Sequence, residues 1–194
     1  MGTMRLNARR WSRVEYERLV EQGVFRPGER LELLDGLLVV REPQGSRHAA
    51  AVAAARERLA AAFGPGHHVR GQAPVALDET SEPEPDLAVV AGEPWDYRHG
   101  HPSTPLLVVE IADSTLALDR RYKGALYARA GIADYWIVNL VDLVLEVYRD
   151  PASSTAPRRG WRYRGVQLLT REATVSPLAA PAASIAVADL LPPP

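Results

Sequence analysis

Apolar positions along this chain change period several times, and each change marks an element. Residues 11–21 are charged, with apolar residues at Val14, Leu19 and Val20, which predicts a short helix. Ser12 is placed to cap it, and Glu15, three residues on, completes a capping box. Two short apolar runs, Leu31–Leu34 and Leu37–Val40, flank Asp35-Gly36, a strong hairpin signal. Gly45-Ser46 then opens an Ala-rich stretch that predicts a long helix over 47–63, closed by Gly64-Pro65-Gly66. Residues 68–77 alternate loosely and read as a strand. Residues 81–85 form an acidic, Pro-rich bend, and 87–90 form a short strand.

The second half begins with a loop over 92–105. Residues 106–112 form an apolar run interrupted only by Glu110, as expected of a central buried strand. A helix is predicted over 116–130, stopped by Gly131. Strands follow at Asp134–Asn139 and 143–148, then a loop over 151–159 and a strand at Trp161–Leu169. One short apolar element (185–191) closes the chain. Strand, helix and strand over 106–139 make a βαβ unit, whose strands run parallel. Hairpins lie on either side of it, so the class is α/β with a central mixed sheet flanked by helices, preceded by an N-terminal helix and a β-hairpin. The expected organisation is a flexible tail (1–10), a single domain (11–191) and a short C-terminal tail (192–194).

Composition narrows the chemistry. With 194 residues, 46% hydrophobic and 24% charged, the chain has the balance of a soluble globular domain. The absence of cysteine excludes disulfides, thiolate catalysis and Cys-based zinc sites. The basic first ten residues have no apolar run behind them, and no stretch approaches a membrane span, so the expected location is the cytoplasm. A net charge of −1 provides no global attraction to nucleic acid. His67, His68, His99 and His101 lack the spacing of a zinc site and read as loop residues. Of 23 basic residues, only Lys123 is a lysine. Its compact ammonium, on a flexible stem, does what a planar guanidinium cannot.

Three residues carry the chemical argument. Glu110 lies in Leu-Leu-Val-Val-Glu-Ile-Ala, where a carboxylate costs several kcal/mol unless it is paired or bound to a metal. Asp86 follows Pro85 at the start of a strand. Lys123 lies on the helix after the Glu110 strand, with Asp119 and Tyr127 on the same face at i−4 and i+4.

Pro85-Asp86 followed by Glu110-Ile111-Ala112 resembles the PD-(D/E)XK nuclease signature. The wider pattern includes Leu31-Glu32-Leu33-Leu34-Asp35-Gly36, Arg47-His48, and residues 107–114. It continues through Asp119, Lys123, Tyr127-Ala128 and Gly131-Ile132-Ala133-Asp134-Tyr135-Trp136-Ile137-Val138. Over roughly residues 12 to 190 it resembles the large bacterial family of restriction-endonuclease-like proteins long catalogued as a domain of unknown function. The resemblance implies a restriction-endonuclease-like core and a metal-dependent DNA endonuclease. Asp86 and Glu110 would hold Mg²⁺ or Mn²⁺, hard cations suited to carboxylate oxygens, with the Ile111 carbonyl as third ligand. One position departs from the pattern: the lysine expected two residues after the glutamate is Ala112. Alternate strand residues share a face, so Ala112 leaves room beside Glu110 that the helix-borne Lys123 would fill. Glu32, His48 and Tyr127 are supporting candidates. Arg120, Arg121, Arg162 and Arg164 are candidate DNA contacts, the last two within the basic and aromatic run Arg158-Arg159-Gly160-Trp161-Arg162-Tyr163-Arg164. A homodimer is expected by analogy, since cutting two strands suits two symmetry-related sites. The alternative, motivated by Ala112 and the near-neutral charge, is a catalytically inactive nuclease fold that binds nucleic acid or a protein partner.

Overall fold

Ser12 caps the first helix as its spacing predicts. In the computed structural model, which describes residues 8–41, 43–153 and 160–193, helix α1 (Arg13–Glu21) opens with a capping box. Glu15 N–H donates to Ser12 Oγ at 3.3 Å and Ser12 N–H to Glu15 Oε2 at 2.9 Å. Strands β1 (Leu31–Leu34) and β2 (Leu37–Val40) form the expected hairpin. Its two turn residues both take left-handed conformations, Asp35 at φ 48° and Gly36 at φ 74°, as a tight hairpin turn requires. Helix α2 (Ser46–Phe63) buries Ala51, Ala55, Leu59 and Phe63, one residue every fourth position. That stripe is the face it lays on the sheet.

The sheet contains β3 (His67–Gly71), β4 (Leu87–Ala91), β5 (Leu107–Ala112), β6 (Asp134–Asn139), β7 (Val144–Ser153) and β8 (Trp161–Leu169), in that spatial order. Only β5 and β6 run parallel, as the βαβ reading requires. Both are buried along their whole length. Side-chain alternation therefore makes two cores. Val109, Ile111, Trp136 and Val138 pack beneath α2 and the C-terminal Val187, Leu190 and Leu191. Val108, Ala112, Tyr135 and Ile137 point the other way, against Tyr127 and Ala128. Glu110 belongs by period to this second face. Among the described residues no helix is long and apolar enough to cross a membrane.

Several expectations are corrected. The strand expected over 68–77 ends at Gly71: Gln72 still donates its N–H to the Asp86 carbonyl, but its left-handed φ of 50° turns the chain away from there on. His67 and His68 lie on β3, not in a loop. Of the loop expected over 151–159, residues 151–153 are instead the end of β7, and residues 154–159 lie outside the described residues. The single helix expected over 116–130 is three pieces: α3 (Leu116–Leu118), a π-helical turn (Asp119–Lys123) and α4 (Gly124–Arg129). The wider turn is closed by Gly124 N–H donating to Asp119 O. A β-carbon on Gly124 would lie 3.3 Å from that oxygen, so glycine suits the close approach. The expected tail, 1–10, falls mostly outside the described residues, although Arg10 reaches the Asp35 carbonyl at 2.5 Å.

Away from the sheet, Glu82 is a buried carboxylate beside Glu17 and Arg13, with Oε2 lacking a hydrogen-bond partner among the described residues. Burial, the Glu17 carboxylate and the more distant Glu84 push its pKa up to about 7, against the pull of Arg13. A raised carboxyl pKa stabilises the fold below the unfolded value, and this contribution is lost as pH rises from about 4.5 through about 7. We expect Glu82→Gln to melt higher than the wild type at pH 8, by on the order of 1–3 kcal/mol, and to differ little at pH 4. Thermal melts of both proteins across this range check it; parallel pH profiles would refute the assignment.

Candidate functional site

β4 and β5 pair antiparallel with Leu87 opposite Val109. One step further along that register, the residue preceding β4 meets Glu110. The Asp86 N–H accordingly donates to Glu110 Oε2 at 3.3 Å, and Ile111 N–H returns a bond to Asp86 Oδ2 at 2.8 Å. Pro85 favours an extended backbone in the residue before it, so the chain enters β4 straight from the 83–86 segment. Both carboxylates are buried, Asp86 at 3% and Glu110 at 2% exposure.

Lys123 closes the gap beside Glu110. Ala112 is packed with Tyr127 and Tyr135 and contributes no charge. The π-helical turn instead carries Lys123 inward, where Nζ lies 3.1 Å from Glu110 Oε1 and 3.1 Å from Glu32 Oε2. Tyr127 OH donates to the same Glu110 oxygen at 2.7 Å. Glu32 is a buried cleft residue of β1 that also accepts the Glu84 N–H at 3.1 Å. His48, near the start of α2, places Nε2 3.1 Å from Asp86 Oδ2, while its Nδ1 is buried without a partner among the described residues. Glu32, His48, Asp86, Glu110 and Lys123 line one cavity of about 470 Å³, with Tyr127 packed behind Glu110.

Three further side chains enter the cleft. Arg41 Nη2 and Gln44 Nε2 both donate to Asp86 Oδ1, at 3.2 and 3.1 Å. They lie between the hairpin and α2, a stretch with no regular period, and nothing in the sequence singles them out. Asp119, spaced one turn before Lys123, is 2% exposed and accepts from Thr115 Oγ1 at 2.5 Å. Its spacing, one turn before Lys123 on the same face, was the signal for it.

The electrostatics follow from crowding. Burial drives Glu110 up to about 8; Lys123 opposes the shift, and the charges of Asp119, Asp86 and Glu32 add to it. Burial likewise raises Asp119 to about 6, against Lys123 and the Thr115 hydrogen bond. Burial also pushes Asp86 upward, but His48, the Ile111 N–H and Arg41 outweigh it and hold the carboxyl below its usual range. Burial pushes the Lys123 pKa down; Glu110, Glu32 and Asp119 more than reverse that, so the net shift is upward and it stays charged.

The donor set suits a hard divalent cation. Four buried carboxylates, Glu32, Asp86, Glu110 and Asp119, face two permanent cations, Arg41 and Lys123. The excess negative charge is relieved by a proton or by a divalent ion, and oxygen donors favour Mg²⁺ or Mn²⁺ over softer metals. No three His, Asp or Glu among the described residues form a ready-made cage. The acidic oxygens are turned instead toward Arg41, Gln44, His48 and Lys123.

The arginines expected at DNA divide differently. Arg120 is locked bidentately on the buried Glu146 at 2.6–3.1 Å. Arg121 is exposed on the site helix. Arg162 and Arg164 lie on β8, three strands from β5 and so about 14 Å away across the sheet. Arg164 is paired with Asp150 at 2.7 Å. Arg158 and Arg159 lie outside the described residues.

No curated protein matches the chain. Among solved structures it is similar to a protein from Anabaena variabilis described as a putative nuclease belonging to DUF820. The TM-score is 0.66 at 14% sequence identity, over 91% of this chain and 95% of that one. The two therefore share a fold, a restriction-endonuclease-like mixed α/β core. A model of the Uma2 family, described as "Putative restriction endonuclease", matches residues 13–188, and the chain belongs to that family.

Proposed function

We propose that this protein is a metal-dependent endonuclease that hydrolyses DNA phosphodiester bonds, with Mg²⁺ or Mn²⁺ held by Asp86, Glu110 and the Ile111 carbonyl. The observation that carries the reading is the convergence of Asp86, Glu110 and Lys123 in one buried cleft. Lys123 Nζ sits 3.1 Å from Glu110 in the place that Ala112 leaves open. The bound ion would lower the pKa of water and stabilise charge on the phosphodiester.

The chain's own residues supply the rest. Lys123 is held protonated, so it cannot take a proton from water. Its role is to orient the attacking water and stabilise negative charge as it develops on the phosphate. Tyr127 fixes the Glu110 carboxylate through its 2.7 Å hydrogen bond, and Glu32 also holds the ammonium, at 3.1 Å. His48 orients Asp86 through Oδ2. Arg121 is the basic residue of the original set best placed to meet the DNA backbone, since it is exposed on the helix that carries Lys123. The proposed setting is a cytoplasmic homodimer. Supporting the dimer, β8 ends the sheet with an edge carrying exposed Val166 and Leu168, and unpaired edges favour strand addition.

Plasmid nicking in Mg²⁺ or Mn²⁺ tests the reaction. Asp86→Asn, Glu110→Gln and Lys123→Met should each lose about 100-fold or more, while Arg162→Ala should cut like the wild type. Equal nicking by all of them would remove the assignment. Light scattering on an eluting peak should give twice the 21.3 kDa chain mass; a peak at the single-chain mass refutes the dimer.

A further inference from the structure

Asp86 offers no unoccupied oxygen. Oδ2 takes His48 and the Ile111 N–H, and Oδ1 takes Arg41 Nη2 at 3.2 Å and Gln44 Nε2 at 3.1 Å. A cation that binds Asp86 through Oδ1 must compete with Arg41 and Gln44 for the same lone pairs. The two competitors differ from the others in how they are anchored. Ile111 N–H is fixed in the buried strand β5. Arg41 and Gln44 belong to the non-helical, non-strand stretch between β2 and α2, and each has a second partner outside the cleft. Arg41 Nη1 bonds Glu84 Oε2 at 3.2 Å, and Gln44 Oε1 accepts from Gln72 Nε2 at 2.5 Å. Glu84 is in turn held by Arg30 at 3.3 Å. Losing Asp86 would leave both groups tethered at the cavity wall with free N–H donors, the guanidinium being 11% exposed.

From this we infer that Arg41 and Gln44 form an anion subsite for a phosphodiester oxygen, masked by Asp86 and released when a divalent cation takes Oδ1. This rests on the metal-site reading above. A guanidinium anchored through one nitrogen and open at the other fits a phosphate oxygen in geometry and charge, and the Gln44 amide adds a second donor on the same side. The exchange also keeps charge in balance. The incoming cation takes over neutralisation of Asp86, and Arg41 becomes available to the substrate anion.

The inference predicts opposite effects on two ligands. By calorimetry, Arg41→Ala should bind Mn²⁺ more tightly than the wild type, because a competitor is gone. In saturating Mn²⁺ it should bind a phosphorothioate oligonucleotide about tenfold more weakly, as expected for loss of one charged hydrogen bond. Gln44→Ala should shift both affinities in the same directions, by less. Arg41→Lys, which keeps the charge but not the fork and guards against misfolding in the alanine variant, should recover part of the oligonucleotide binding; melting curves confirm that each variant is folded. A purely structural Arg41 would weaken both ligands together, and that result overturns the inference, as does Mn²⁺ affinity that Arg41→Ala leaves unchanged. Wild-type protein that takes up no Mn²⁺ overturns the metal-site reading itself, which distinguishes the two failures.

Discussion

Four carboxylates buried in one cleft repel each other, and the fold must answer that repulsion or come apart there. Removing one partner of a buried ion pair typically costs about 3–5 kcal/mol, and here a single ammonium serves several partners. Lys123 is 3.1 Å from both Glu110 and Glu32 and is drawn further by Asp119. Those acids come from a central strand, a hairpin outside the main sheet and the site helix. The hairpin shares no ladder with the six-stranded sheet. The Lys123–Glu32 pair, the Leu33–Glu82 bridge and the Glu84–Glu32 hydrogen bond are among the contacts that join it to the rest of the fold.

The lysine reaches this position by an irregularity in the helix. A regular α-helix places i and i+4 one above the other on one face. Asp119 and Lys123 open and close the π-helical turn, and both are buried. Such single wide turns are common at functional sites. Arginine would not serve here. Its planar fork needs more room, whereas two buried carboxylates 3.1 Å away suit a compact group with three rotatable donors.

Much of this was legible in the sequence because it depends on local period. The hairpin follows from Asp35-Gly36, the buried strand from the apolar run around Glu110, and the parallel pair from the βαβ spacing. The pairing of Glu110 with Lys123 follows from an absent charge at Ala112 and a solitary lysine on the next element. What was not legible depends on contacts distant in sequence. Residues 72–77 continue an alternating pattern but leave the sheet, because Gln72 takes a left-handed conformation at φ 50°. Arg120 looked like a free surface cation but answers Glu146, a buried acid 26 residues away. Arg162 and Arg164 fit a nucleic-acid pattern locally and are placed far from the cleft by strand order alone. Arg41 and Gln44 gain meaning only when the β2–α2 connection is laid across the start of β4.

That connection explains why so acidic a cleft can exist in a protein with almost no net charge. Cations and anions alternate from the half-exposed Arg30 through Glu84 and Arg41 to Asp86. Each interior charge therefore has an opposite neighbour on either side, and the series ends at the oxygen a metal would use. An apolar wall in place of Arg41 and Glu84 would leave Asp86 with only His48, Gln44 and a backbone amide to hold its charge. A closed pair of Arg41 with Asp86, lacking Glu84 behind it, would give the guanidinium nothing to hold once the carboxylate was taken. The alternating chain meets both needs: Asp86 stays ionised and within reach of a competing cation, and the arginine keeps a fixed anchor while its other face is exchanged.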